Sequence, residues 1–267
     1  MDATPTALLT IEQAIADLNS PDQGKRYYAA WWLGRFRVRS PEAVAALINA
    51  LTDESDLTPD GGFPLRRNAA RALGKLADPQ AVLPLIGCLS CSDYYVREAA
   101  AQALAAIADP VAIAPLLELL TEEEDAAKPL PGSPHLAQPF DAILEAVGVL
   151  GATEAIPLVE SFLNHPVVLV QYSAARAMYQ LTGKAEYGDR LITALKGDQL
   201  QLRRAALADL GAIGYLPAAE AIANTLAENS LKLISLRGLL AAELKKQTDS
   251  RLSDAAKQVM QMMDSLL

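Results

Sequence analysis

Arg26-Tyr27-Tyr28-Ala29-Ala30-Trp31-Trp32-Leu33-Gly34-Arg35 decides the fold, because its pattern returns along the chain with a period of about 31 residues, the length of one two-helix repeat unit. Arg66-Arg67-Asn68-Ala69-Ala70-Arg71-Ala72-Leu73-Gly74 and Arg97-Glu98-Ala99-Ala100-Ala101-Gln102-Ala103-Leu104-Ala105 repeat it closely. Gln171 to Met178 and Arg203 to Gly211 repeat it more loosely. Apolar columns keep register with the motif. Leu65, Ala69, Leu73 and Leu76 correspond to Val96, Ala100, Leu104 and Ile107, to Val170, Ala174, Met178 and Leu181, and to Leu202, Ala206, Leu210 and Ile213. Steps of four, four and three hold each set on one helical face. No unit can bury that face alone, so the pattern predicts an all-α solenoid, an α-α superhelix of stacked helix pairs with capped ends.

Composition agrees with helix pairs. Aromatic residues make up only 5% of 267 while hydrophobic residues reach 51%, which suits closely packed helices better than a sheet core. The self-similarity argues for one domain over 1–267 in spite of the length. Ser40-Pro41, Asp78-Pro79 and Asp109-Pro110 each read as a capping side chain followed by Pro at the first helical position. Gly34, Gly74 and Gly211 fall late in the motif helix, where they allow close helix approach or stop the helix. Residues 10–18 read as an N-terminal cap, and 254–267 as a C-terminal cap or a helix that docks on a partner. Two insertions break the period, at 53–64 and 121–139, both dense in Pro and Gly. In repeat proteins such segments tend to project from one face and take part in binding; disorder is the alternative for the acidic half of the second.

The net charge is -9, which argues against nucleic acid and anionic membrane surfaces as partners. The excess of acid lies wholly beyond Lys75, leaving a neutral, Arg-containing N-terminal third as the place for an anionic ligand. No apolar run approaches the ~18 residues of a membrane span, and the start lacks a leader pattern. Two cysteines cannot form a disulfide framework, so a reducing, cytoplasmic setting is expected.

Aligned repeat on repeat, the column of Trp31 holds Arg71, Gln102, Arg176 and Ala208, and that of Tyr27 holds Arg67, Glu98, Tyr172 and Arg204. Those columns face solvent, so Tyr27 and Trp31, with Arg35, form an aromatic and cationic stripe suited to binding. Trp32 falls in a column of Ala72, Ala103, Ala177 and Asp209 that flanks the core, where packing competes with binding. Tyr94-Tyr95 opens another motif helix, and Arg66, Arg67 and Arg97 lie near the same helix ends. Arg at this position either offers a fork to carboxylates or bonds a neighbouring turn. Cys88-Leu89-Ser90-Cys91 has redox or zinc spacing but stands alone, so neither role is expected. His135, in the second insertion, could serve as acid or base if that loop folds over a ligand. Phosphate-binding glycine loops, nucleophile elbows and paired carboxylate motifs are absent from the sequence.

Residues 26–36, the stretch Pro59-Asp60-Gly61-Gly62 running into the second motif, and Cys91-Ser92-Asp93-Tyr94-Tyr95-Val96-Arg97 resemble the HEAT-like, armadillo-type repeat family of phycobilin lyases. Within it the likeness is to the E-type (alpha) subunits of heterodimeric E/F lyases, and it runs over nearly the whole chain. The resemblance implies a crescent-shaped cyanobacterial subunit that joins an F-type partner, binds phycocyanobilin as substrate and delivers it to a cysteine of the apo-phycocyanin alpha chain. The acceptor thiol adds to the ring A ethylidene group to give a thioether, with no metal and no permanently bound cofactor. On that basis Tyr27, Tyr28, Trp31, Trp32 and Tyr95 would stack on the chromophore, Arg35, Arg66, Arg67 and Arg97 would take its propionates, and Asp60, Tyr94 or His135 would donate the proton. A noncatalytic adaptor that binds phycobiliprotein or assists chromophore detachment is the competing expectation, since repeat scaffolds more often bind than catalyse.

Overall fold

The computed structural model describes residues 9–121, 136–246 and 251–267, and among them all regular structure is helical. The chain divides into two compact units, Met1–Ala146 and Val147–Leu267. The first contains α1 (Ile11–Asp17), α2 (Gln23–Arg35), α3 (Pro41–Ala50), α4 (Pro64–Leu76), α5 (Val82–Cys88), α6 (Tyr94–Ile107) and α7 (Ile113–Leu120). The division falls within α8 (Phe140–Leu150). The second contains α9 (Ile156–Ser161), α10 (Val168–Thr182), α11 (Ala185–Ala194), α12 (Leu200–Ile213), α13 (Ala219–Asn224), α14 (Asn229–Lys246) and α15 (Asp254–Asp264).

In the first unit the motif helices α2, α4 and α6 pack side by side, and α3 and α5 lie against α4 and α6. The apolar columns supply that packing: Leu65, Ala69, Leu73, Leu76, Val96, Ala100 and Leu104 are fully buried. Full burial of a Leu or Val side chain contributes roughly 1.5–3 kcal/mol. Gly34 and Gly74 set the helix spacing. A methyl group at Gly34 would sit 2.8 Å from the Ala72 Cα, and one at Gly74 2.8 Å from the Ala103 Cα. Close approach, rather than helix termination, is thus what these glycines supply. α1, capped by Thr10, covers one flank of α2 through buried Ala14.

Ser40 caps α3 as the sequence indicates, its hydroxyl accepting from the Ala43 N–H at 3.2 Å. Asp78 and Asp109 behave differently. Their carboxylates accept from Gln80 and Val111 N–H, so the following proline opens a 3-10 turn, and α5 and α7 begin three residues later. The Asp carboxylate reaches the second N–H beyond it and tightens the turn.

The first insertion is an ordered loop. Thr58 and Gly62 close its tip with backbone and side-chain hydrogen bonds. Buried Asp56 then accepts from the Leu65 N–H at 2.7 Å, and Asp93 from the Phe63 N–H at 2.7 Å. Two carboxylates from outside α4 therefore supply the capping that Phe63 cannot.

In the second unit the core gathers Leu191, Ala206, Leu210, Leu236, Leu239 and Val259, with Met262, Met263 and Leu266 of the C-terminal segment packed against it. The last helix is therefore a cap. Tyr215 packs on α11 because residue 188 is glycine: a Cβ there would lie 2.6 Å from the ring. The Tyr215 hydroxyl donates to Asp189 at 2.7 Å, and burial, followed by that bond and charge, pushes its pKa to about 12.

Candidate functional site

The exposed face of α2, α4 and α6 carries the residues singled out in the sequence. On α2, Trp31 is 47% and Tyr28 53% exposed, and their rings stack at 5.6 Å with 29° between planes. Arg35, one turn further on, is exposed as well. The stripe therefore runs Tyr28, Trp31, Arg35, at i, i+3 and i+7, rather than starting from Tyr27. Tyr27 is half-buried and turned toward Asp56; burial first, then the Asp56 charge and hydrogen bond, raises its pKa. Trp32 is half-buried and meets Phe36 at 4.9 Å in a tilted pair. Phe36 is 60% exposed and extends the aromatic surface.

The arginines separate into two kinds. Arg66 directs Nε to the Asp53 carbonyl at 2.7 Å, reaches the Thr52 carbonyl and Glu54, and lies over the Phe63 ring at 4.0 Å. Arg97 binds the Cys91, Ser92 and Ala137 carbonyls and Gln138. The same column continues with Arg203 on the Gly197 and Leu226 carbonyls and with Gln171 on the His165 carbonyl. Arg26, at the head of the column, is buried against Asp53 and Ser55. The geometry thus sides with the turn-bonding role for Arg66 and Arg97. Among the described residues Arg67 has no such partner. Its guanidinium lies 5.4 Å from the Tyr95 ring centroid, and Nε is buried without a hydrogen bond among the described residues. A half-buried cation without a carboxylate is costly alone and suited to an incoming one.

Tyr95 is 40% exposed and meets Tyr94 edge-on at 5.7 Å, and Arg97 stands 5.9 Å from the Tyr94 ring. Burial first, then the charges of Asp141 and Glu98, raises the Tyr94 pKa and makes the phenol a weaker acid. Asp60 lies exposed at the tip of the first insertion and is not brought to the face by any hydrogen bond among the described residues. His135 lies outside the described residues. α4 separates the aromatic pair of α2 from that of α6 and places Arg67 and Arg71 between them.

Next to this face a cleft of about 510 Å³ opens between α4 and α6. Arg37, Arg71, Lys75 and Gln102 stand around a floor of Gly74 and Ala103. Arg37 and Lys75 have no ion pair among the described residues, and Arg71 has a long one to Glu98 at 3.8 Å. Tyr28, as a partner of Trp31, Phe36, Asp56 and this cleft were not apparent from composition. The sequence signal for Arg37 is its register: the matching positions are Ala77, Ala108, Gly151 and Gly214.

Cys88 is buried and its thiol is pushed up to about 11, chiefly by burial. Among the described residues no three His, Cys, Asp or Glu side chains converge as a metal site would require, and no helix is long and apolar enough to cross a membrane.

Residues 25–53 match the PBS lyase HEAT-like repeat and residues 57–128 match HEAT repeats. The phycocyanobilin lyase subunit alpha of Microchaete diplosiphon is 64% identical over 97% of this chain and 90% of its own length. The chain belongs to the phycocyanobilin lyase alpha-subunit family. Its Synechocystis relative of the same description is 58% identical over 97% of this chain and 96% of its own. A solved complex of CpcE and CpcF of phycocyanin lyase from Nostoc sp. PCC7120 contains a chain 56% identical to this one, with a TM-score of 0.90 over 100% of this chain and 98% of that one.

Proposed function

We propose that this chain is the alpha subunit of a heterodimeric bilin lyase, which works with an F-type subunit to attach phycocyanobilin to a cysteine of the apo-phycocyanin alpha chain in the cytoplasm of a cyanobacterium. The observation that carries the reading is the stacked, solvent-facing Tyr28 and Trp31 pair on α2, with Arg67 on the next motif helix, which pairs with no carboxylate among the described residues. Flat rings hold a conjugated tetrapyrrole, and a guanidinium fork takes a propionate. Phycocyanobilin is then a substrate that passes through rather than a resident cofactor.

The chain supplies binding and orientation. The thiolate of the acceptor forms the C–S bond at the ring A ethylidene carbon, and the tetrapyrrole takes up one proton, so nothing leaves. Positioning alone accounts for much of such a rate, since held reactants avoid the entropic cost of meeting. Tyr94 is a candidate donor of that proton among the phenols of this face, a weak acid because burial raises its pKa. Reconstitution tests the reading: with an F-type partner, apo-alpha chain and phycocyanobilin, the alpha chain should carry colour that survives denaturation. Colour that forms equally fast without this chain would remove it from the reaction. Release of colour from finished phycocyanin would favour the detachment adaptor.

A further inference from the structure

Arg37 occupies a backbone position that the repeats of α4, α6, α8 and α12 give to Ala or Gly. It follows the end of α2 with φ of 52°, in the left-handed region. The matching residues after α4, α6, α8 and α12 are Ala77, Ala108, Gly151 and Gly214, all likewise at positive φ. Left-handed backbone is disfavoured for any side chain bearing a Cβ, and glycine relieves it. Ala77 and Ala108 bear the same backbone cost, so what sets Arg37 apart is its long cationic side chain.

The side chain of Arg37 lines the cleft between α4 and α6 together with Arg71 and Lys75. Lys75 runs past Gly34, whose missing Cβ would lie 3.6 Å from the Lys75 Cδ, so the glycine gives its stem room. Among the described residues the carboxylate that pairs with these cations is Glu98, 3.8 Å from Arg71. The second unit provides an internal control. There Arg176, in the column of Arg71, is held by the buried carboxylate of Asp209 at 3.2 Å. That aspartate stands where the first unit has Ala72 and Ala103. The first unit thus gives Arg71 a longer and more exposed pair where the second holds Arg176 with a buried carboxylate. A concentration of cations persists in a chain of net charge -9, above a floor of Gly74 and Ala103 that a planar group can approach.

We propose that Arg37, Arg71 and Lys75 form a carboxylate site that takes one propionate of the bilin while the rings lie on the Tyr28 and Trp31 face. This rests on the bilin-lyase reading and adds the residues that select for the free acid. Arg37 also becomes a binding residue held at a cost to the fold.

The test is a titration of the heterodimer with phycocyanobilin and with its dimethyl ester, followed by absorbance, for the natural chain, Arg37→Gly and Lys75→Ala. The natural heterodimer should prefer the free acid, and each variant should lose about tenfold in affinity for the acid, one charge-assisted hydrogen bond's worth. Each variant should bind the ester as the natural chain does. Arg37→Gly should melt no lower than the natural protein, which separates lost binding from lost folding. Variants that keep the full preference for the acid would overturn the cleft and leave the bilin reading intact. A natural heterodimer that binds neither compound would overturn both. If Arg37→Gly instead fails to assemble with the F-type subunit, the cleft is a partner contact and the proposal fails.

Discussion

Arg66 and Arg67 are neighbours with opposite assignments. Arg66 gives its donors to the Asp53 and Thr52 carbonyls and fastens the first insertion to α4. Arg67 faces the Tyr95 ring and has no acid among the described residues. Arg66→Ala should therefore destabilise the protein by about 2 kcal/mol, the scale of charged hydrogen bonds lost to a half-buried turn. Arg67→Ala should leave denaturant midpoints nearly unchanged and weaken bilin binding; urea unfolding of both variants, paired with a bilin titration, reads the contrast. A second residue-scale prediction concerns His165, which is buried and whose pKa burial holds below the usual 6.5. Above that value both folded and unfolded chains carry it neutral. As pH falls through 6.5 the unfolded chain takes the proton first, so stability falls until the folded pKa is reached and then levels. Natural protein should lose stability between pH 7.5 and 5.5, and His165→Gln should lose less.

At the scale of helices, spacing depends on single atoms. The Gly74 position meets backbone of α6, and backbone cannot swing aside as a flexible side chain can. Gly74→Val should cost about 1–3 kcal/mol through forced separation of α4 and α6, and a melting point equal to the natural one would contradict this account of the helix pair. The helices themselves were legible in the sequence, because columns such as Leu65, Ala69 and Leu73 obey one period and all prove buried. The starts of α5 and α7 were less so: Asp-Pro reads alike for an α-helix and for the 3-10 turn that forms. The site was half legible. Column comparison marks Trp31 as out of place, but it cannot tell that Asp56 from a distant loop draws Tyr27 inward and leaves Tyr28 to stack on Trp31. The structural role of Arg66 and Arg97 likewise depends on carbonyls whose direction no periodicity encodes.

For the whole molecule, two units share one repeat logic and differ in what they expose. The stacked aromatics of α2 and the cations of α4 belong to the first unit, while in the second the equivalent arginine is neutralised by Asp209. If 1–267 is one continuous array, calorimetry should give a single cooperative melting transition, as coupled repeats do; two resolved transitions would count against that expectation. The central claim is that the exposed rings of α2 receive the chromophore. Phycocyanobilin titrated into the heterodimer, with far-ultraviolet circular dichroism as the control for folding, tests it most directly using the double substitution Tyr28→Ala and Trp31→Ala. The account predicts at least a tenfold loss of affinity, from two stacking faces removed, with helicity unchanged; unchanged affinity in a fully helical double variant would contradict it.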